Sequence, residues 1–314
     1  AWVRRRSPST GRIIARALRT ATLTWRVLDI SHNDLGRSGL NHMMWSLRHN
    51  RSLRILKVAY NNAGTVWGTD DDALGIHGIA IYRAIVENLA LRELDLSGNN
   101  ISTEGGNNIL EAMLQNQTLR IFRMSHNFLD DTCSVNLGDL ITFNNVLEHL
   151  DLGHNKLGFH CCMSLAQGLQ INRALQTLNM AHNRLGNAGA ATLEHMFIAL
   201  CVNTSLRVLI LDGNRLGPVW GRRLAEGLCR NSTLVKVGLV MTRLDPKSAQ
   251  NILRMYKKNQ YLKELGVSIE EVGEPLYREY QKVFSQKRAF QQSHVPQDAM
   301  DTEVVLDPSV LVSG

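Results

Sequence analysis

The chain has 314 residues, of which 44% are apolar, 20% charged and 6% aromatic, and its formal net charge is +7. This composition excludes a disordered chain and a small disulfide-stabilised domain. With 45 leucines and 25 asparagines against 18 aromatic residues, it indicates a core of repeated leucine contacts, as in a repeat protein.

The charge is concentrated at the beginning of the sequence. Residues 1–24 hold six arginines and no acid, including the cluster Arg4, Arg5 and Arg6. We interpret this segment as a basic arm leading into a partial capping repeat, with a mitochondrial transit peptide as the alternative. The cluster could contact RNA, phospholipid or an acidic protein tail without sequence specificity, and the residues do not separate these three partners.

Residues 25–268 are organised by one motif, Leu-x-x-Leu-x-Leu-x-x-Asn. Intact copies read LRELDLSGN from Leu91, LEHLDLGHN from Leu147 and LRVLILDGN from Leu206. Successive copies are 28, 38, 28, 28, 28, 31, 28 and 28 residues apart, a register that chance does not maintain. The copies begin at Trp25, Leu53, Leu91, Leu119, Leu147, Leu175, Leu206, Leu234 and Leu262.

Each copy predicts a strand, a turn and a helix. The Leu-x-Leu alternation buries one face of a strand, and an apolar segment with helical period follows, such as 165–169. The motif closely resembles the leucine-rich repeat of the ribonuclease-inhibitor type, and the resemblance covers residues 11 to about 270. It implies an α/β solenoid of horseshoe form, with a parallel sheet on the concave side and helices on the convex side.

The ninth position of the motif is asparagine in seven copies. We expect its amide to pair with backbone groups of the turn that would otherwise be buried without a partner. These residues are Asn33, Asn61, Asn99, Asn127, Asn155, Asn183 and Asn214.

Three regions depart from the pattern. An insertion at 64–73 contains Trp67 and three consecutive aspartates, and it is either a solvated loop or a partner contact. Residues 269–290 are predicted to form a C-terminal capping helix, because a solenoid must cover its last core face. Residues 291–314 contain four acids and no Lys or Arg, and we interpret them as an acidic tail that orders only against a partner.

Signatures of catalysis, cofactors and metals are not found. The sequence contains no P-loop, GxGxxG, GxSxG, HExxH or paired CxxC, so we predict no enzyme, no cofactor and no metal centre. In the run His160, Cys161 and Cys162, adjacent helical side chains point apart, which favours core thiols over a metal site. No run of 18 uncharged apolar residues is present, so no membrane span is predicted.

Positions eight and ten of the motif predict a binding rim in the second half of the array. Histidine occupies position eight at His126, His154 and His182, as a solvated row, a pH-sensitive contact or a metal site. Position ten carries a cation in four successive copies, and this one-sided register motivates a contact with an acidic partner. The predicted basic rim consists of His154, Lys156, His182, Arg184, Arg215 and Arg243.

The concave face is the second predicted interaction surface. By strand alternation its charged set contains six acids against three Lys or Arg, which argues against specific nucleic-acid binding there. The residues are Asp29, Lys57, Glu93, Asp95, Arg123, His149, Asp151, Asp212, Lys236 and Glu264.

The function that the sequence favours is a non-catalytic protein-interaction scaffold in a multi-subunit complex whose partners present acidic surfaces. The chain is similar to leucine-rich subunits of the axonemal dynein regulatory complex in repeat length and basic balance. This similarity implies a cytoplasmic site in the cytoskeleton or cilium. The alternatives are a subunit of another assembly, including a mitochondrial one, and a regulator resembling the GTPase-activating proteins for Ran, whose acidic C-terminal segment is longer than the tail here.

Overall fold

The computed structural model describes residues 8–20, 24–64, 77–187 and 190–292. In this part of the chain, three-residue strands alternate with helices, as the motif predicts. The strands are β1 (Val27–Asp29), β2 (Ile55–Lys57), β3 (Glu93–Asp95), β4 (Ile121–Arg123), β5 (His149–Asp151), β6 (Thr177–Asn179), β7 (Val208–Ile210), β8 (Lys236–Gly238) and β9 (Glu264–Gly266).

A helix precedes β1, and a helix follows every strand. The α-helices are α1 (Pro8–Arg19), α2 (Gly36–Leu47), α3 (His77–Glu87), α4 (Thr103–Gln115), α5 (Ser134–Phe143), α6 (Phe159–Ile171), α7 (Ala190–Val202), α8 (Gly217–Arg230), α9 (Pro246–Lys258), α10 (Ile269–Val272) and α11 (Glu274–Gln292). Short 3-10 turns at Asp131–Cys133 and Leu185–Asn187 lead toward α5 and α7.

The nine strands form one parallel sheet in chain order, from β1 to β9. The pairing places the third residue of each motif copy opposite the third residue of the next, for example Glu93 opposite Ile121 and Ile121 opposite His149. This register confirms the repeat boundaries read from the sequence, including the two unequal intervals. Since strands lie about 4.8 Å apart and packed helices about 8–10 Å apart, the sheet takes the inner side of the curve.

One continuous apolar core runs between the sheet and the helices. The motif leucines at positions four and six supply it from the strands, as at Leu94 and Leu96, which are at most 1% exposed. The helices supply the facing layer, for example Leu165 and Leu169 of α6. The α/β leucine-rich repeat architecture expected from the sequence is therefore the observed one.

Both described ends of the core are covered by helices. Helix α1 packs against α2, and α11 packs against α9 and α10. Tyr280 and Val283 of α11 are buried, and the Tyr280 hydroxyl donates to the carbonyl of Ala249 at 3.1 Å. Among the described residues, no helix combines the length and the apolar character that crossing a bilayer requires.

Candidate protein-interaction rims

The array has two rims, which differ in the direction of the chain. At the strand-to-helix rim, positions eight to ten of each motif copy carry the chain from the sheet into the next helix. At the helix-to-strand rim, the end of each helix leads into the next strand. The predicted basic rim lies on the first of these, and each rim is built around asparagines.

The ninth-position asparagines are hydrogen-bonded as predicted, and all are buried except Asn33, which is half-buried. Asn127 donates its amide to the carbonyls of Leu96, Met124 and Ser125 at 3.1–3.2 Å. Its Oδ1 accepts the backbone N–H of Ile101 at 2.9 Å. One side chain thus joins two neighbouring repeats, and the ladder has a structural role.

Position eight requires an unusual backbone conformation. His126, His154 and His182 have φ of 53–54°, in the left-handed region. Histidine tolerates this region better than branched residues do, and glycine tolerates it best. Gly98 and Gly213 occupy the same position in their repeats, with φ of 64° and 70°.

The rings at position eight stack along the rim. The centroids of His126 and His154 are 3.9 Å apart, and those of His154 and His182 are 4.2 Å apart. In the first repeats, His32 stacks on Tyr60 at 4.6 Å. Tyr60 also leans across the glycine of the third repeat, and its ring centroid lies 5.9 Å from that of His126. The predicted histidine row is therefore part of a longer ladder of aromatic rings.

The two central imidazoles, those of His126 and His154, have lowered pKa values. Burial lowers the pKa of His126. The pKa of His154 falls to about 4, first because of burial and then because His126 and His182 lie on either side of it. A charged imidazole at position 126 or 154 would lose solvation, so burial favours the neutral form of these two rings. Within the described residues, no three His, Cys, Asp or Glu side chains are arranged to hold a metal ion.

The residue at position ten is Asp or Asn in the first three motif copies and Lys or Arg in the fifth to the eighth. In the first half, the Asn100 amide donates to Asn62 at 3.2 Å, and the Asn62 amide donates to Asp34 at 3.3 Å. In the second half, the cations predicted for the basic rim are all exposed: Lys156, Arg184, Arg215 and Arg243. The Lys156 ammonium lies 4.8 Å from the ring centroid of Phe128. The structure thus places the predicted cations side by side on one rim.

The predicted concave residues lie on the strands except Asp212, which follows the end of β7 by two residues, and several have structural partners. Asp29, Asp95 and Asp151 each accept, through Oδ1, the backbone N–H two residues later, at 2.9–3.0 Å. Asp212 accepts the N–H of Val240 at 2.7 Å. These aspartates therefore stabilise the chain where it leaves the sheet, a role that the alternation pattern did not reveal.

An ion cluster on β2, β3 and β4 occupies the first half of the concave face. Glu93 is 8% exposed, pairs with Arg123 and lies 3.9 Å from the Lys57 ammonium. Burial lowers the pKa of the neighbouring His149 and raises that of Asp151. The acids of this face are thus partly neutralised inside the array.

Cys161 and Cys162 behave as core residues, whereas Cys229 is exposed. Cys161 and Cys162 are fully buried, and burial raises the pKa of Cys162 to about 12. His160, next to them, bonds instead to Asp131 across the repeat boundary, with its Nδ1 2.7 Å from a carboxylate oxygen. Cys161 contacts the same residue, because its backbone N–H donates to the Asp131 carboxylate at 2.8 Å.

Other predicted regions lie outside the described residues. These are Arg4, Arg5 and Arg6 of the basic arm, the insertion after Gly64 and the acidic tail after Gln292.

A second asparagine ladder supports the helix-to-strand rim. The nine-residue motif does not include its positions, so these residues were not among the predicted ones. Asn144 donates to the carbonyls of Met113 and Asn116 at 3.0 Å, and its Oδ1 accepts the N–H of Leu147 at 2.9 Å. The signal was available, because asparagine stands three residues before the first leucine of eight successive motif copies. The ladder comprises Asn50, Asn88, Asn116, Asn144, Asn172, Asn203, Asn231 and Asn259.

Comparisons with known proteins agree with this architecture. Residues 87–110, 143–158 and 172–193 match the family model described as leucine-rich repeat. No curated protein matches the chain.

Two solved structures are similar in part. The leiomodin-1 actin-binding site 2 has 18% identity and a TM-score of 0.38, over 59% of this chain and 90% of that one. The tropomodulin C-terminal domain of Caenorhabditis elegans has 13% identity and a TM-score of 0.32, over 68% and 93%. At these scores neither similarity bears on what this chain binds. The matched segments and the nine-strand parallel array together show that the chain is a leucine-rich repeat solenoid.

Proposed function

We propose that the chain is a non-catalytic protein-interaction scaffold that docks an acidic partner on its strand-to-helix rim. The observation that carries this proposal is the exposed row of four cations in successive repeats, beside the stacked histidines. A rigid array holds such charges at fixed spacing, which favours recognition of a surface over that of a small molecule.

The chemistry of the rim defines the partner class. The exposed cations attract carboxylates, and the edges of the stacked imidazoles beside them carry ring nitrogens that form hydrogen bonds. An acidic segment with polar side chains matches both features. The concave face contributes less charge to this attraction, because Glu93 and Arg123 already pair with each other.

At a finer level, we propose a structural subunit of a large cytoplasmic assembly such as the ciliary axoneme or cytoskeleton. The support is the similarity in repeat length and basic balance to leucine-rich axonemal subunits. Regulation of a small GTPase and membership of a mitochondrial assembly are the competing outcomes.

Affinity purification of the tagged chain from native extract at low salt, followed by mass spectrometry, tests the proposal. The test variant is Arg184→Glu with Arg215→Glu. The matched control is Arg222→Glu with Arg254→Glu, which changes the same charge at exposed positions of α8 and α9.

We expect acidic cytoskeletal subunits to be recovered with the wild type and the control but lost with the rim variant. Equal recovery with the rim variant would refute the rim as the docking site. Recovery of a lone small GTPase whose hydrolysis rate the chain accelerates would replace the scaffold by the regulator.

A further inference from the structure

Three neighbouring helices end on apolar residues that face solvent. Phe143, Ile171 and Val202 are the last residues of α5, α6 and α7, and they are 64%, 63% and 43% exposed. Each precedes a buried asparagine of the helix-to-strand rim. Since α5, α6 and α7 pack in sequence, the three side chains form a row. Solvent exposure of three large apolar groups in register is unfavourable unless something covers them.

The same row continues toward the end of the chain with positive charge. Helices α8 and α9 end on Arg230 and Lys258, and both are exposed. The exposed Arg207 and Lys263 begin the segments that enter β7 and β9. From α9 back to α5 the last residues of the helices are therefore cations first and apolar residues second, with the exposed Arg207 and Arg173 beside the apolar part.

Helix α11 brings the chain to this rim. The Lys287 ammonium donates to the carbonyls of Asn259 and Leu262, where α9 gives way to β9. Gln292, the last residue of α11, is five residues further on, about 7.5 Å of helix. The segment that follows thus starts beside the cationic end of the row.

The sequence of that segment has the same order as the rim. The acids Asp298, Asp301 and Glu303 come first, and the apolar runs 304–306 and 310–312 follow, with Asp307 between the two runs. Lys and Arg are absent from residues 293–314. The acids of the segment are therefore complementary to the cationic helix ends, and its apolar runs match the apolar helix ends. The two features follow each other in the same order in the segment and along the rim.

We propose that residues 298–312 dock on the helix-to-strand rim of their own chain. The acids face Arg230 and Lys258, and the two apolar runs cover Val202, Ile171 and Phe143. The tail is thereby an internal ligand of this rim, on the side of the array opposite the proposed partner surface.

Chain length permits this arrangement. Twelve residues, from 292 to 304, span at most about 40 Å. The four helix spacings from α9 to α5 amount to about 32–40 Å. The first apolar run can therefore reach the ends of α7 and α6, and the second can reach the end of α5.

Hydrogen exchange of the full chain, followed by mass spectrometry, tests the docking. The test variant is Phe143→Ser with Ile171→Ser. The matched control is Val135→Ser with Val219→Ser, which are 68% and 58% exposed on α5 and α8, away from the helix ends. Circular dichroism checks that all variants retain the fold.

We expect amides of 304–312 to exchange at least about fivefold faster in the test variant than in the wild type and the control. Exchange of these amides at the unprotected rate in the wild type would overturn the proposal. Protection that disappears on dilution would also overturn it, since the tail would then occupy a second copy.

A charge exchange tests the acidic part separately. Arg230→Glu is expected to increase tail exchange, and adding Asp301→Arg with Glu303→Arg is expected to restore protection. Faster exchange in both variants would refute the assigned ion pairing.

Discussion

The two rims of the solenoid share one type of buried residue but expose different types of side chain to solvent. Each contains a ladder of buried asparagines that joins successive repeats through backbone carbonyls, with Asn127 and Asn144 as examples. Beside the first ladder stand stacked rings and cations, as at His154 and Arg184. Beside the second stand exposed apolar helix ends such as Ile171.

This difference distinguishes positions at which the repeat requires one residue type from positions at which it tolerates several. Asparagine recurs because only a side chain with both donors and an acceptor satisfies the carbonyls and N–H groups of two turns at once. The side chains next to the ladder asparagines point to solvent, so the repeat does not require them to satisfy backbone groups. Candidate binding residues are therefore found next to the ladders.

The largest effect is expected for a ladder asparagine of the helix-to-strand rim. Asn144→Ala removes two donated bonds and leaves the N–H groups of Val146 and Leu147 without their acceptor. Because these groups are buried, we expect the free energy of unfolding to fall by about 3 kcal/mol. Urea unfolding followed by circular dichroism measures the change.

The next residue along the chain provides the control. Asn145 is exposed, and Asn145→Ala is expected to change the free energy of unfolding by less than about 0.5 kcal/mol. Similar losses for the two variants would show that the ladder does not distinguish buried from exposed asparagine.

The fold and the first ladder were predictable because both follow from a repeated period. The spacing of Leu91, Leu119 and Leu147 places their strands in register, and asparagine at a fixed offset marks a fixed backbone need. The second ladder was equally periodic. It was missed because it lies outside the nine-residue motif.

The surface features depend on neighbours that the motif does not specify. Tyr60 extends the ring ladder only because the third repeat has Gly98, where a Cβ would lie 2.3 Å from the tyrosine ring. Asp95 and Asp151, predicted from strand alternation to contact partners, also each accept a backbone N–H of their own turn. Such roles depend on distances between repeats, which a one-dimensional pattern does not contain.

A smaller effect is expected from acid on the strand-to-helix rim. The pKa of His154 is about 4 in the folded chain and about 6.5 when unfolded. Between these values the unfolded chain binds a proton that the folded chain does not, so the contribution of His154 to stability is lost as pH falls from 6.5 to 4. Because the ring is partly exposed, we expect a melting-temperature decrease of a few degrees, about 2–4 °C.

The variant His154→Tyr isolates this contribution. Tyr60 shows that tyrosine fits the same position, with φ of 54°, and tyrosine does not titrate in acid. The other titratable groups are present in both proteins, so the difference between the two melting curves reports position 154. Equal pH dependence in wild type and variant would contradict the lowered pKa.

The smallest effects are expected when one arginine of each rim is replaced by glutamine. The Arg184 side chain is exposed among like charges, so Arg184→Gln is expected to leave stability unchanged or raise it by up to about 0.5 kcal/mol at low salt. Arg173 instead donates to the carbonyls of Gln170 and Asn172 at the end of α6, at 3.0 and 2.9 Å. Arg173→Gln is therefore expected to lower stability by about 0.5 kcal/mol.

The opposite signs are the informative part of this pair, because each replacement removes one charge from an exposed side chain. Urea unfolding at 20 mM and 500 mM salt should show the Arg184→Gln gain shrinking with salt, since screening weakens repulsion between neighbouring rim cations. The Arg173→Gln loss should shrink less, since the fixed hydrogen bonds to the helix end are lost at either salt concentration. A loss of stability in Arg184→Gln would mean that this cation supports the fold, which would contradict its assignment to partner binding.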